Sequence, residues 1–366
     1  MIILTCSPMS INDLITFFNY PLDSDLDFNL YTRNLAYLPD NPLYRKEFLI
    51  AYNKDEDVKL SYFFLSCNSE PCILMPIVFR RFNWSNNKEY WHAFSPYGYN
   101  GPLYNQGIDA KLLTRFWIEV DSWYQKNNVI TEFIRFGLNK NWEEYSGIVF
   151  PTLVNICGRI LEKKEQWLNF KPKVRNNYRK ALRENLECKI YHKKVPKNKI
   201  SEFYSVYIDT MKRVDAENSF LYSLEFFEKL ILNNLNRTAI AILYKNKIPI
   251  SVELLLLSSS EILSFLGGTL AEYFYTRPND FLKIEVINWA RLNGFSFYIL
   301  GGGRKNNDNL FQYKKSFFYH DPERIFHTGR KIIKEDIYKQ ICNSFGYEPD
   351  SFKEPNLSFP IYLKKL

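Results

Sequence analysis

One pattern runs through this chain twice, and it restricts the fold more than any single motif. In the first half, KLSYFFLS (59–66) and CILMPIVFRRF (72–82) flank the turn CNSEP. Apolar runs rich in β-formers on either side of turn residues read as a hairpin. A third strand, YWHAF (90–94), runs into SPYGYNGPLYN, followed by a helical stretch from about Asp109 to Lys126 and the strand ITEFIRFGL (130–138). The second half repeats the order: TAIAILY, the turn KNK, IPISVELLLL, then ILSFLGGT, a helix near Pro278 to Asn293, and FSFYILGGG. Helical patterns precede each hairpin, at NDLITFFN (12–19) and at SEFYSVYIDTMKR with LEFFEKLILNNL. The expectation is an α/β (α+β) protein of two tandem units. Each has a mixed, mostly antiparallel sheet flanked by helices, with a splayed pair of strands at its centre.

Composition excludes several classes. An apolar fraction of 46% with 24% charged residues describes a soluble globular chain. No apolar run approaches the roughly 20 residues of a membrane span. The amino terminus, MIILTCSPMSINDL, has no basic residue ahead of its apolar run and does not read as a secretory signal, so a cytoplasmic location is expected. Six cysteines without CxxC pairs and four histidines without i, i+4 spacing argue against a disulfide framework or a metal site. The net charge of +8 points toward anionic partners such as phosphates, nucleotides or RNA.

That charge is concentrated between the repeats. FKPKVRNNYRKALREN (170–185) carries six basic residues from Lys171 to Arg183 and no acidic one between them. As a helix over 171–185 it would bury Val174, Tyr178 and Leu182, with Arg175, Arg179 and Arg183 on a neighbouring stripe. Such a stripe either meets a polyanion or simply solvates the helix.

The segments SPYGYNGPL, FIRFGL, VRNNYRKA, YIDTMKR, FLGGT, RPNDFLKIEVINWARLNGFSFYILGGG and LFQYKKSF occur in an order that resembles the Fem-type aminoacyltransferases and related tandem GNAT-like acyltransferases. These act on peptidoglycan precursors and other cell-envelope substrates, and the resemblance covers roughly residues 55 to 320. It implies two GNAT-like units, residues 1–160 and 161–324, with 325–366 completing the first. It also implies an acyltransferase that moves an aminoacyl or acyl group onto an amine of a cell-envelope glycan or peptidoglycan precursor. No cofactor is tightly bound on this reading, and the donor is aminoacyl-tRNA or acyl-coenzyme A. Partners are a phosphate-bearing glycan precursor or sugar nucleotide, tRNA, and peripheral contact with a lipid-linked substrate. Two departures bear on the donor. The long helical hairpin of some family members is missing, which removes one expected tRNA contact. The RxxGxG loop that holds the pyrophosphate of coenzyme A in ordinary GNAT enzymes is missing too. A coenzyme A-dependent N-acyltransferase acting on an amino sugar, and a non-catalytic binder of RNA or acidic glycans, are the alternatives.

Candidate residues follow. The GGG at 301–303 is no P-loop, since GxxxxGK[ST] is absent and no helix clearly begins there. Tyr313, Lys314 and Phe317 match the family's FKxxF pattern with tyrosine at its first position. Acyl transfer to an amine passes through a tetrahedral species with a developing oxyanion, and a fixed cation lowers that barrier. Lys314 is the candidate, with Tyr313 beside it. Alternation in an extended segment would send Lys315 to the opposite, solvent-facing side. Arg213 matches a family arginine that grips acceptor phosphates, and it could instead cap a helix end. Tyr97, Tyr99 and Asn100 lie on a loop broken by proline and glycine, a candidate wall for sugar or peptide that turn chemistry alone also explains. Phe265 and Thr269 would face the cleft if ILSFLGGT is a central strand. Arg175 and Arg179 are candidates for nucleotide or tRNA phosphates. Glu253, within an apolar run, is either a buried acid and candidate base or an exposed position of an edge strand.

Overall fold

The computed structural model describes residues 14–52, 57–84, 88–355 and 357–365. The chain forms two compact units. One runs to Thr152 and takes up Ile325–Leu366, and the other is Leu153–Arg324. The division falls inside a strand, at Leu153, whereas the sequence reading drew it after residue 160.

The first unit opens with β1 (Ile15–Pro21), α1 (Asp25–Leu35) and α2 (Lys46–Tyr52). The meander β2 (Val58–Cys67), β3 (Glu70–Trp84) and β4 (Lys88–Phe94) follows, with the short β5 (Leu103–Tyr104) on β3. Helix α3 (Ala110–Lys126) then crosses over to β6 (Val129–Arg135), which runs parallel to β4. Asp109 caps α3 by accepting the amide of Lys111, and the helix buries Leu112, Leu113, Phe116, Trp117, Val120 and Tyr124 on one face. That apolar stripe is what holds a crossover helix to its sheet.

The second unit begins within β7 (Ile148–Arg159) and continues through α4 (Lys163–Asn169), α5 (Pro172–Ala181), β8 (Leu186–His192), α6 (Lys197–Arg213) and α7 (Leu224–Leu232). Its meander is β9 (Thr238–Lys245), β10 (Ile248–Leu257) and β11 (Glu261–Thr269). Helix α8 (Pro278–Leu292) crosses to β12 (Phe297–Gly301), parallel to β11, and α9 (Asn309–Lys315) follows. The chain then returns to the first unit through β13 (Glu323–Ile332) and α10 (Glu335–Ser344).

The two units share one strand plan. In the first unit the strand order is β1-β2-β3-β4-β6-β13, and in the second β8-β9-β10-β11-β12-β7. The opening hairpin of each turns the same way, through Asn68 and Ser69 in one and Asn246 and Lys247 in the other, all four with positive φ. Two successive residues with positive φ suit the right-handed twist of paired strands.

Some expectations fail. In NDLITFFN, residues 15–19 are strand, because Ile15–Pro21 pair with Ser61–Cys67 of β2. The basic helix ends at Ala181 rather than 185. Ala181 is buried, Leu182 is 57% exposed, and Arg183 lies off the helix, so it shares no stripe with Arg175 and Arg179.

Candidate active site

Each sheet contains one parallel pair, and the two pairs differ. In the first unit, the chain leaving β4 stays attached to β6. Ser95 N donates to Phe133 O (2.9 Å), Arg135 N to Ser95 Oγ (2.9 Å) and Asn100 N to Arg135 O (2.9 Å). In the second unit, β11 and β12 pair only through Glu261, Ile262 and Leu263. Among the described residues, no backbone hydrogen bond joins them beyond that point, so Ser264–Thr269 and the end of β12 diverge. Such a parting at the carboxyl ends of parallel strands is where α/β folds receive ligands.

Thr269 ends β11. Its amide donates to Thr210 Oγ1 (2.8 Å), its carbonyl accepts from Arg213 Nη2 (3.1 Å), and its hydroxyl bonds Ser251 (2.7 Å) and Asn279. The structure thus brings Arg213 and Thr269 together. Arg213 sits in the last turn of α6, exposed, its guanidinium 5.2 Å from the Phe274 ring. Gly268 makes this contact possible: a Cβ there would lie 2.5 Å from Thr210 Oγ1 and 2.8 Å from Val206 O. Phe265 is the extra residue of a bulge, since Leu254 pairs with Leu266 and Leu255 with Ser264. A bulge bends its strand locally and re-aims side chains.

Lys314 lies at the carboxyl end of β12. Its Nζ donates to Gly302 O (2.6 Å). Burial and the nearby Lys283 ammonium push its pKa down to about 8, against the pull of the Glu253 and Asp308 carboxylates. Tyr313 packs edge-on against Phe317 at 5.2 Å, its shielded hydroxyl without a hydrogen-bond partner. Burial, helped by Asp280 and Glu253, holds that phenol well above its usual range.

The segment is not extended. Both lysines lie on α9, and Lys315 is no surface residue: its side chain is 13% exposed, and Nζ donates to Asp321 O (2.7 Å) and pairs with Glu323 (3.4 Å). A helix does begin soon after the glycines. Gly301, with φ of 71°, turns the chain out of β12. Asp308 then accepts the amides of Arg304 (2.7 Å), Lys305 (3.1 Å) and Phe311 (2.7 Å), bonds that hold its carboxyl below the usual range. The anion cradle after GGG is therefore filled by the chain's own carboxylate.

Where α8 meets β10, β11 and β12 the interior is polar. Glu253 is 2% exposed, which resolves it as a buried acid. One carboxylate oxygen accepts from Lys283 and from Tyr298 OH, while the other has no partner. Lys283 also donates to Ser264 Oγ (3.0 Å) and Tyr298 OH (3.1 Å). Sequence reasoning missed Lys283 and Asp280. Burial pushes the Asp280 carboxyl up to about 6, opposed by the Asn177 amide, which donates to it at 3.2 Å. The signal was available, because the two charges sit three residues apart on α8 beside the buried Phe281, Leu282 and Ile284.

The remaining candidates have partners of their own. Arg175 donates to the Trp167 carbonyl at 3.4 Å, and the exposed Arg179 has its guanidinium 5.5 Å from the Trp167 ring. Tyr97, Tyr99 and Asn100 belong to the first unit. Tyr97 is 38% exposed, Tyr99 packs against Phe326 at 5.5 Å, and Asn100 is fully buried. Asn100 is held through its backbone by Arg135 and Asn141.

Residues 172–315 match the family model described as an acetyltransferase (GNAT) domain. No curated protein matches the sequence. Among solved structures, FemX is similar with a TM-score of 0.63 at 11% identity, covering 86% of this chain and 98% of its own. L-PGS from Bacillus licheniformis gives 0.55 at 13%, covering 84% and 92%. A tandem GNAT protein from the clavulanic acid biosynthesis pathway gives 0.51 at 8%, covering 87% and 99%. At such identities the likeness is one of fold. The chain has the fold of the tandem GNAT proteins and of FemX, and most of its second unit matches a GNAT acetyltransferase domain.

Proposed function

We propose that the chain transfers an acyl or aminoacyl group onto an amine of a cell-envelope glycan or peptidoglycan precursor, at the parting of β11 and β12. The observation that carries this reading is the half-buried ammonium of Lys314 at the open carboxyl end of β12, in the one parallel pair of the two that is not closed by backbone bonds. The amine attacks the carbonyl carbon of the donor, a C–N bond forms, and the C–O or C–S bond to the carrier breaks. An ammonium has three N–H donors, of which Gly302 takes one, leaving others for the developing oxyanion. Asp280 accepts the proton from the attacking amine, and that proton leaves with the carrier. Arg213 meets a phosphate of the acceptor, its planar fork suiting a diphosphate.

GNAT enzymes take their acyl donor as a substrate rather than holding it as a cofactor. Here the connection from β11 to α8 is a 3-10 helix, Ala271–Thr276, free of glycine. That favours a donor other than acyl-coenzyme A, with aminoacyl-tRNA the first choice. The test incubates the purified protein with charged tRNA and, separately, with labelled acetyl-coenzyme A, each with peptidoglycan precursors and amino sugars. Label on an acceptor amine supports acyl transfer and identifies the donor. No transfer from either donor to any acceptor sinks the reading.

A further inference from the structure

Away from the parting strands, the second unit holds a cavity of about 490 Å³ on the outer side of α8. Ile284, Asn288 and Arg291 line it at i, i+4 and i+7, one stripe of that helix, whereas Lys283 turns to Glu253 and the sheet. The wall opposite is aromatic: Trp167, Phe170 and Tyr178, with the Trp167 ring edge-on to both others at 6.1 and 5.8 Å. The charged side chains on its lining are Lys163, Lys164 and Arg291, all cations.

A second feature points to a ligand. Gln166 is 1% exposed and lines the same cavity. Its Oε1 accepts the amide of Leu161 at 2.9 Å, which fixes the orientation of the group, and its Nε2 has no partner. Buried donors are almost always satisfied, so an unpaired amide N–H beside a cavity asks for an acceptor. Arg291 is anchored through Nε to Leu161 O (2.5 Å) and through Nη1 to Asn288 (3.0 Å), so its charge is fixed at the rim. Exposed Leu168 and Leu292 flank the cavity in sequence, next to Trp167 and Arg291.

We infer that this cavity is a second binding site, for a small amphiphilic anion: an apolar body against Trp167, Phe170 and Tyr178, with a carboxylate or phosphate head accepting from Gln166 Nε2 and facing Lys163, Lys164 and Arg291. Aromatic walls with a few placed polar groups are the usual make-up of ligand pockets, and this volume lies within their usual range. The site stands apart from the acyl-transfer reading and does not depend on it.

Calorimetric titration of the full chain with octanoate and with octyl phosphate separates the two head groups, and inorganic phosphate reports charge alone. Saturable one-site binding of either octyl anion is expected, with inorganic phosphate at least tenfold weaker. Lys163→Glu/Lys164→Glu, two exposed positions, should weaken binding tenfold or more with an unchanged melting temperature. Gln166→Met, which keeps the bulk and removes the donor, should weaken it several-fold. The inference is overturned if neither octyl anion binds saturably, if inorganic phosphate binds as well as they do, or if the double lysine variant binds as tightly as the parent.

Discussion

At the scale of residues, two titrations give the proposed chemistry a signature. A carboxyl near 6 that must be ionised and an ammonium near 8 that must stay protonated predict a bell-shaped kcat, rising through about pH 6 and falling through about pH 8. Asp280→Asn should remove the acid limb along with most of the rate. Lys314→Met should lower kcat by about a hundredfold or more with little change in acceptor binding. A variant retaining a basic limb near 8 would exclude Lys314 as its source. Lys315→Met should act differently from a surface substitution. It removes the ammonium that Asp321 and Glu323 share, so the expected loss is ~1–2 kcal/mol of stability, read from denaturant unfolding.

His92 gives a second pH effect, on folding. It is fully buried, with Nδ1 2.8 Å from Thr131 Oγ1, and burial pushes its pKa down to about 3. The unfolded chain binds a proton near the ordinary value of 6.5 and the native state does not. Stability is therefore complete above about 6.5 and declines as pH falls from there toward 3. A His92→Phe variant should show a flatter acid profile by ~1–3 kcal/mol between those limits. An unchanged slope would mean that other groups govern acid unfolding.

At the scale of elements, the close approach of α6 to β11 is the contact with least tolerance. Gly268→Val places branched carbons where Thr210 and the Val206 carbonyl already sit, and should cost ~2–4 kcal/mol or displace α6. Because Thr269 and Arg213 depend on that docking, acceptor KM should rise with the loss of stability. The hairpins and crossover helices were legible from the sequence since each combined strong periodicity with turn residues or a cap. β1 was misread because Leu14, Ile15, Phe17 and Phe18 fall at helical spacing. Pairing with β2, and the stacking of Phe17 on Phe63 at 5.7 Å, override that local signal. β8 went unnoticed because its half-exposed alternation, LECKIYH, is short and polar. Lys314 was found through a motif, but its surroundings were not. The pairing of Glu253 with Lys283 joins β10 to α8 across 30 residues, and no local pattern encodes such a distance.

At the scale of the molecule, the first unit is discontinuous in the chain, completed by a strand made after the second unit. The sixth strand of the second sheet is β7, made before the rest of that unit, and the sixth strand of the first is β13, made after the second unit is complete. Arg330 on β13 also donates to the carbonyls of Phe352, Glu354, Pro355 and Leu357 and so ties down the chain that follows. Ending the chain at Arg324 should leave residues 153–324 protected in hydrogen exchange while β6 and α3 lose protection. Equal protection in both units after truncation would show that β13 is dispensable.

That late completion sets a timetable on the ribosome. Strands β7 to β12 emerge as one contiguous block and can close their sheet as soon as they leave the exit tunnel, since domains fold as units during synthesis. The earlier-made unit cannot. From the emergence of β6 until residues 325–332 arrive, roughly 190 residues later, the flank of β6 that β13 will occupy stays open, and Ile134, buried in the finished protein, belongs to that unfinished edge. At about 5–20 residues per second the interval is on the order of ten to forty seconds. An open strand flank held that long is a natural client for a nascent-chain chaperone, so the first half of this gene product waits, half-built, for the second to finish.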